Sequence, residues 1–181
     1  MFKKSTIIVL FFLFSFGIVS TGLYAAENSD SNSIFRISIW PEKLSWPKQS
    51  YITGVSLGLP SSYGLPVVYG ADLSLIWGDS QDVYGFKLAP VSTGSRVRGV
   101  QLAIINQSDN INGGELGVIN LANESSGIQL GIFNKTDQSK GAQFGIVNFA
   151  GNSDEGIQIG VINIMENGFL PVFPIFNYQK K

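Results

Sequence analysis

Few residues in this chain could do chemistry. It contains no histidine and no cysteine, which removes histidine-based triads, thiol nucleophiles and the zinc and haem ligand sets that need either residue. Carboxylates remain, among them Asp109, Glu124, Asp137, Asp154 and Glu155. Two could share acid–base work, and a set of oxygens could hold calcium, but a repeated calcium site needs its oxygens at one fixed place in every repeat. These five fall at shifting offsets in polar stretches such as "LANESS" and "KTDQSK", so they read as solvated turn residues. The triplets "NQS" (106–108), "NES" (123–125) and "NKT" (134–136) match the glycosylation acceptor pattern, yet two of them begin at an asparagine that recurs for another reason. No enzymatic activity, cofactor or metal is expected.

That other reason is a tandem repeat. "GVQLAIIN", "GGELGVIN", "GIQLGIFN", "GAQFGIVN" and "GIQIGVIN" begin at Gly99, Gly113, Gly127, Gly141 and Gly156, spaced by 14, 14, 14 and 15 residues. Weaker copies begin at Gly54, Gly70 and Gly85, so eight units cover residues 54–168. Within a unit the second, fourth and sixth positions are apolar, the third is polar and the fifth is small, which is the alternation of a strand. The apolar set is therefore expected inside: Leu130, Ile132, Phe144, Ile146 and Ile159 should be buried. The polar strip of Gln101, Glu115, Gln129, Gln143 and Gln158 is expected outside as a ladder of mutually bonded amides facing solvent; a lumen lining is the other reading of it. Asn106, Asn120, Asn134, Asn148 and Asn163 close their units. Asparagine tolerates left-handed backbone and bonds its own turn, so it is assigned to a corner.

Three inward residues per unit give roughly 5–8 kcal/mol of burial, less than the ~1–2 kcal/mol per residue lost in ordering fourteen backbones. Units must therefore stack. The sequence period is one strand, with Gly at every start and Asn at every end, whereas an up-and-down meander repeats naturally every two. We therefore expect an all-β chain forming a single repeat domain, a parallel β-solenoid of about eight coils of 14–16 residues with terminal caps. The alternative is a small antiparallel β-barrel of the outer-membrane type, whose strands want roughly 9–11 residues.

Outside the repeats, Lys3 and Lys4 precede an apolar run over 6–19 and small residues, the layout of a secretory signal peptide over 1–26. Cleavage is expected between Leu23 and Asn28, leaving 10 basic and 13 acidic residues, a balance with no footprint for nucleic acid. Residues 27–53 form an N-terminal segment and cap. Residues 169–181 form a Pro/Phe-rich C-terminal cap whose Pro171 and Pro174 cannot donate to a further strand.

The run "GVQLAIIN…GIQLGIFN…GAQFGIVN…GIQIGVIN", closed by "NGFLPVFPIFN", resembles a family of bacterial surface-repeat proteins of the leptospiral type, found also in other Gram-negative lineages. The resemblance covers roughly residues 34–178. It implies export and exposure at the cell envelope, and it brings no activity and no functional residues. Two departures stand out: the first three units lack the asparagine, and the chain ends "YQKK". The expected function is that of a non-enzymatic exported envelope or surface protein with a structural, adhesive or docking role toward an unidentified protein or envelope partner. The alternative is an outer-membrane barrel acting as pore or anchor.

Overall fold

The computed structural model describes residues 32–39, 46 and 51–179. The signal sequence with its cleavage site, Trp40 and the two terminal lysines lie outside the described residues. Twelve strands follow one another: β1 (Asn32–Ile39), β2 (Tyr51–Leu59), β3 (Ser61–Ser74), β4 (Trp77–Leu88), β5 (Val91–Leu102) and β6 (Ile105–Leu116). Then come β7 (Ile119–Ser125), β8 (Ile128–Leu130), β9 (Phe133–Ser139), β10 (Ala142–Ser153), β11 (Gly156–Met165) and β12 (Val172–Gln179).

They pair in the order β1-β2-β3-β4-β5-β6-β7-β9-β10-β11-β12, with β8 lying between β6 and β10. Every pairing from β1 to β11 is parallel. The path does not close on itself, so the chain is a β-solenoid of about eight turns and not the antiparallel barrel. Asn106, Asn120, Asn134, Asn148 and Asn163 stand on successive rungs, as the one-strand period requires.

Each coil has two legs. The first carries the G-x-Q-x residues, a corner follows at the fifth and sixth positions, and the return leg begins at the seventh. The long strands β3 to β6 run along the return leg and continue through the next repeat-start glycine into the following coil. Gly70, Gly85, Gly99 and Gly113 take that bend at φ between 133° and 145°, a conformation essentially reserved for glycine. The glycines are also stacked, so a Cβ on Gly113 would fall on the carbonyl oxygen of Gly99. Gly113→Ala is accordingly expected to cost at least ~2 kcal/mol, from backbone strain of ~1–3 kcal/mol plus the displaced neighbour, read as a lowered urea midpoint.

The C-terminal end reverses direction. β12 lies antiparallel on β11, and Phe169 packs edge-on against Phe173 and stacks on Tyr178. Pro174 within β12 withholds a backbone donor, which limits continued pairing.

The faces are the reverse of those expected. Gln101, Glu115, Gln129, Gln143 and Gln158 are at most 1% exposed, whereas Leu130, Ile132, Ile146 and Ile159 are 39–52% exposed. Phe144 is half-buried. A period-two pattern says which residues share a face but not which face is inside. The apolar core lies instead on the return leg, where Ile52, Val68, Val83, Val97 and Ile111 stack with exposures of 0–1%.

Candidate functional site

Two columns of amides run through the interior. In the first, the Asn106 Nδ2 donates to Asn120 Oδ1 at 2.8 Å, Asn120 to Asn134 at 2.7 Å, Asn134 to Asn148 at 2.8 Å and Asn148 to Asn163 at 2.8 Å. The second hydrogen of each Nδ2 goes to a backbone carbonyl, as from Asn120 to Leu130 at 2.9 Å and Asn134 to Phe144 at 2.9 Å. Only the NH2 end of an amide can donate to a carbonyl, which fixes the direction of the column. These asparagines are not left-handed corner residues. They stand just past the corner, fully buried, with side chains turned inward across it. The small fifth position makes this room: a Cβ on Gly131 would come within 2.6 Å of Asn120 Nδ2.

The second column is the expected polar strip, turned inward. Gln129 Nε2 donates to Glu115 Oε2 at 2.7 Å, Gln143 to Gln129 at 2.8 Å and Gln158 to Gln143 at 2.7 Å. Thr136, from the return leg, donates to Gln129 Oε1 at 2.7 Å. Donors in this column point toward the N-terminal coils, whereas those of the asparagine column point toward the C-terminal ones. Buried amides are costly to desolvate, but here those within the files find partners above and below in a low-dielectric interior where hydrogen bonds are strong, while the Asn106 and Gln158 side-chain oxygens at the file ends have none.

Toward the N-terminus the same column becomes ionisable, running Ser56, Asp72, Lys87, Gln101 and Glu115, all fully buried. Asp72 accepts from the hydroxyls of Ser62 and Ser80, and the Lys87 amine donates to the carbonyl of Thr93. Burial lowers the Lys87 pKa from 10.5 to about 8, against the attraction of Asp72 and Asp79. Burial raises Glu115 from 4.5 to about 7, opposed by hydrogen bonds from Gln129 and Ser108. Glu115 Oε1 and Gln101 Oε1, on adjacent rungs, are both without a partner. The sequence carried no signal that the strip turns ionisable here, because Ser56, Asp72 and Lys87 fall in the three weak units and Glu115 reads as one more polar member of the strip.

The carboxylates that could have paired are scattered over the outside of the return leg. Glu124 accepts from Asn110 at 2.8 Å, and Asp137 and Asp154 lie 3.6 and 3.5 Å from Lys135 and Lys140. Among the described residues no group of three or more acids is placed to hold a metal. Of the three glycosylation triplets, Asn106 and Asn134 are buried in the ladder and Asn123 is exposed.

The outer surface is divided. Beyond the partly exposed apolar column Ile105, Ile119, Phe133, Val147 and Ile162 at its start, the return leg carries polar and charged residues such as Arg96, Asn110, Glu124, Gln138 and Asn152. On the first leg, by contrast, the column Leu88, Leu102, Leu116, Leu130, Phe144 and Ile159 stands in register over six coils. The parallel column Val100, Gly114, Ile128, Ala142 and Ile157 lies beside it, and Ile104, Val118, Ile132, Ile146 and Val161 continue it round the corner. No charged side chain interrupts these columns. Among the described residues these columns form a continuous, uncharged and partly exposed apolar surface. Set beside known protein families, curated proteins and solved structures, the chain matches none.

Proposed function

We propose that the chain is a non-enzymatic, exported protein of the cell envelope or surface, with a structural or docking role exerted through the apolar face of its first-leg sheet. The carrying observation is that face: an uncharged sheet surface running the length of the solenoid, opposite a polar one. Monomeric soluble proteins rarely expose contiguous apolar patches beyond a few hundred Å², so a surface of this extent is built to be covered. The basic-apolar-polar order of residues 1–26 and the resemblance to surface-repeat proteins support placing it outside the cytoplasm.

The test is expression of the full chain in a Gram-negative host, with N-terminal sequencing and fractionation. A mature N-terminus between Leu23 and Asn28 is expected, with the protein retained in the envelope fraction and released by a carbonate wash. Leu130→Lys should abolish the species crosslinked through this face in intact cells. Intact Met1 on the envelope-bound protein would overturn export, and an unchanged crosslinking pattern in the variant would overturn docking through this face.

A further inference from the structure

We infer that the partner of the apolar face is a second copy of the same chain, the two first-leg sheets packing face to face. This rests on the docking reading above and narrows it to one occupant.

Area is the first argument. The face spans the ten strands β1 to β6, β8 and β10 to β12, about 43 Å at the ~4.8 Å strand spacing, and its five-residue leg is about 17 Å wide. Each copy therefore offers about 700 Å², close to the ~800 Å² per partner of a standard stable interface. Composition is the second. Homodimer interfaces are the most apolar class, and a two-fold pairing sets the surface against itself. The face holds no charge that such a pairing would have to desolvate, its column being Leu88, Leu102, Leu116, Leu130, Phe144 and Ile159.

Shape is the third. The in-register column makes evenly spaced ridges across the sheet, and another such sheet has ridges at the same spacing to interdigitate at the ~10 Å of stacked sheets. A lipid surface is the weaker fit. Interfacial binding gains from cationic residues flanking the apolar face, yet the far rim mixes Arg98 and Lys140 with Asp154 and Glu155, and the chain's net charge is −1.

Sedimentation of the purified mature chain tests this. Twice the chain mass is expected at micromolar concentration without detergent. Leu130→Lys and Leu116→Lys should each halve that mass with an unchanged circular dichroism spectrum, since both side chains project outward. Gln138→Lys on the opposite sheet should leave it doubled. A wild-type monomer in solution that floats with phosphatidylethanolamine–phosphatidylglycerol vesicles would overturn the pairing, as would a monomer that binds neither vesicles nor itself. If Leu130→Lys still abolishes the crosslinked species for such a monomer, docking through the face stands and only the second copy falls. If the variants change neither mass nor crosslinking, both fall.

Discussion

Asn134→Ala is expected to lower the unfolding free energy by about 3–5 kcal/mol. Asn134 sits mid-ladder, accepting from Asn120 and donating to Asn148 and to the Phe144 carbonyl. Removing it strands one hydrogen of Asn120 and the Asn148 oxygen in a fully buried setting, each worth roughly 1–3 kcal/mol, and leaves a small void. The Phe144 carbonyl keeps the Gly131 amide. Asn134→Asp, though isosteric, should be worse at neutral pH, because a carboxylate would face the Asn148 and Phe144 oxygens with no hydrogen to offer. Asn123→Ala, on the surface, should stay within ~0.5 kcal/mol. Denaturant midpoints at matched slopes read all three, and an Asn134→Asp protein as stable as the parent would refute the ladder.

Glu115→Gln should make the protein more stable above pH 7, by on the order of 3 kcal/mol. Burial raises this carboxyl from 4.5 to about 7, so its contribution is complete below pH 4.5, declines as pH rises, and is lost above about 7; each pKa unit is ~1.4 kcal/mol. Glutamine carries no charge, and its amide would supply the donor that Gln101 Oε1 lacks. Lys87 acts in the opposite sense. Lowered from 10.5 to about 8, it withholds stability below pH 8 and restores it between 8 and 10.5. Together the two groups carve a trough in the stability curve near pH 7–8. Glu115→Gln should remove its acid limb and Lys87→Met its alkaline limb, measured as thermal midpoints from pH 4 to 10. A flat wild-type profile would refute the buried ionised state of both.

Much of the architecture was legible because the repeat encodes it directly. Asn recurring every fourteen residues places Asn over Asn only if the strands are parallel, and the registers of Asn120, Asn134 and Asn148 obey this. The orientation of the strand was not legible from hydrophobicity, since alternation is symmetric about the sheet. The usable signal was identity: a solvent-facing position tolerates any polar residue, whereas Gln129, Gln143 and Gln158 at one column and asparagine at another are what an interior ladder demands. The variable outer positions of the return leg, such as Gln107, Leu121 and Lys135, show the contrasting freedom. Lys87 and Glu115 were invisible as a pair because only stacking brings them two rungs apart.

The opposed senses of the two amide columns bear on how long such a molecule can be. A file of aligned amides is a row of head-to-tail dipoles, each about 3.5 D as in a peptide unit, and a single file leaves partial charges at its ends as a helix does. Here one file runs against the other, so each added coil contributes two vectors that nearly cancel. Gain or loss of a whole fourteen-residue unit then changes the rod by about 4.8 Å and leaves its ends electrically unaltered. A gain that moves either amide off its rung breaks its file, whereas the one extra residue between Gly141 and Gly156 leaves the Asn148–Asn163 and Gln143–Gln158 bonds intact. The molecule is in effect a ruler graduated in single coils, free to vary in reach while its two tips, and whatever they contact, stay the same.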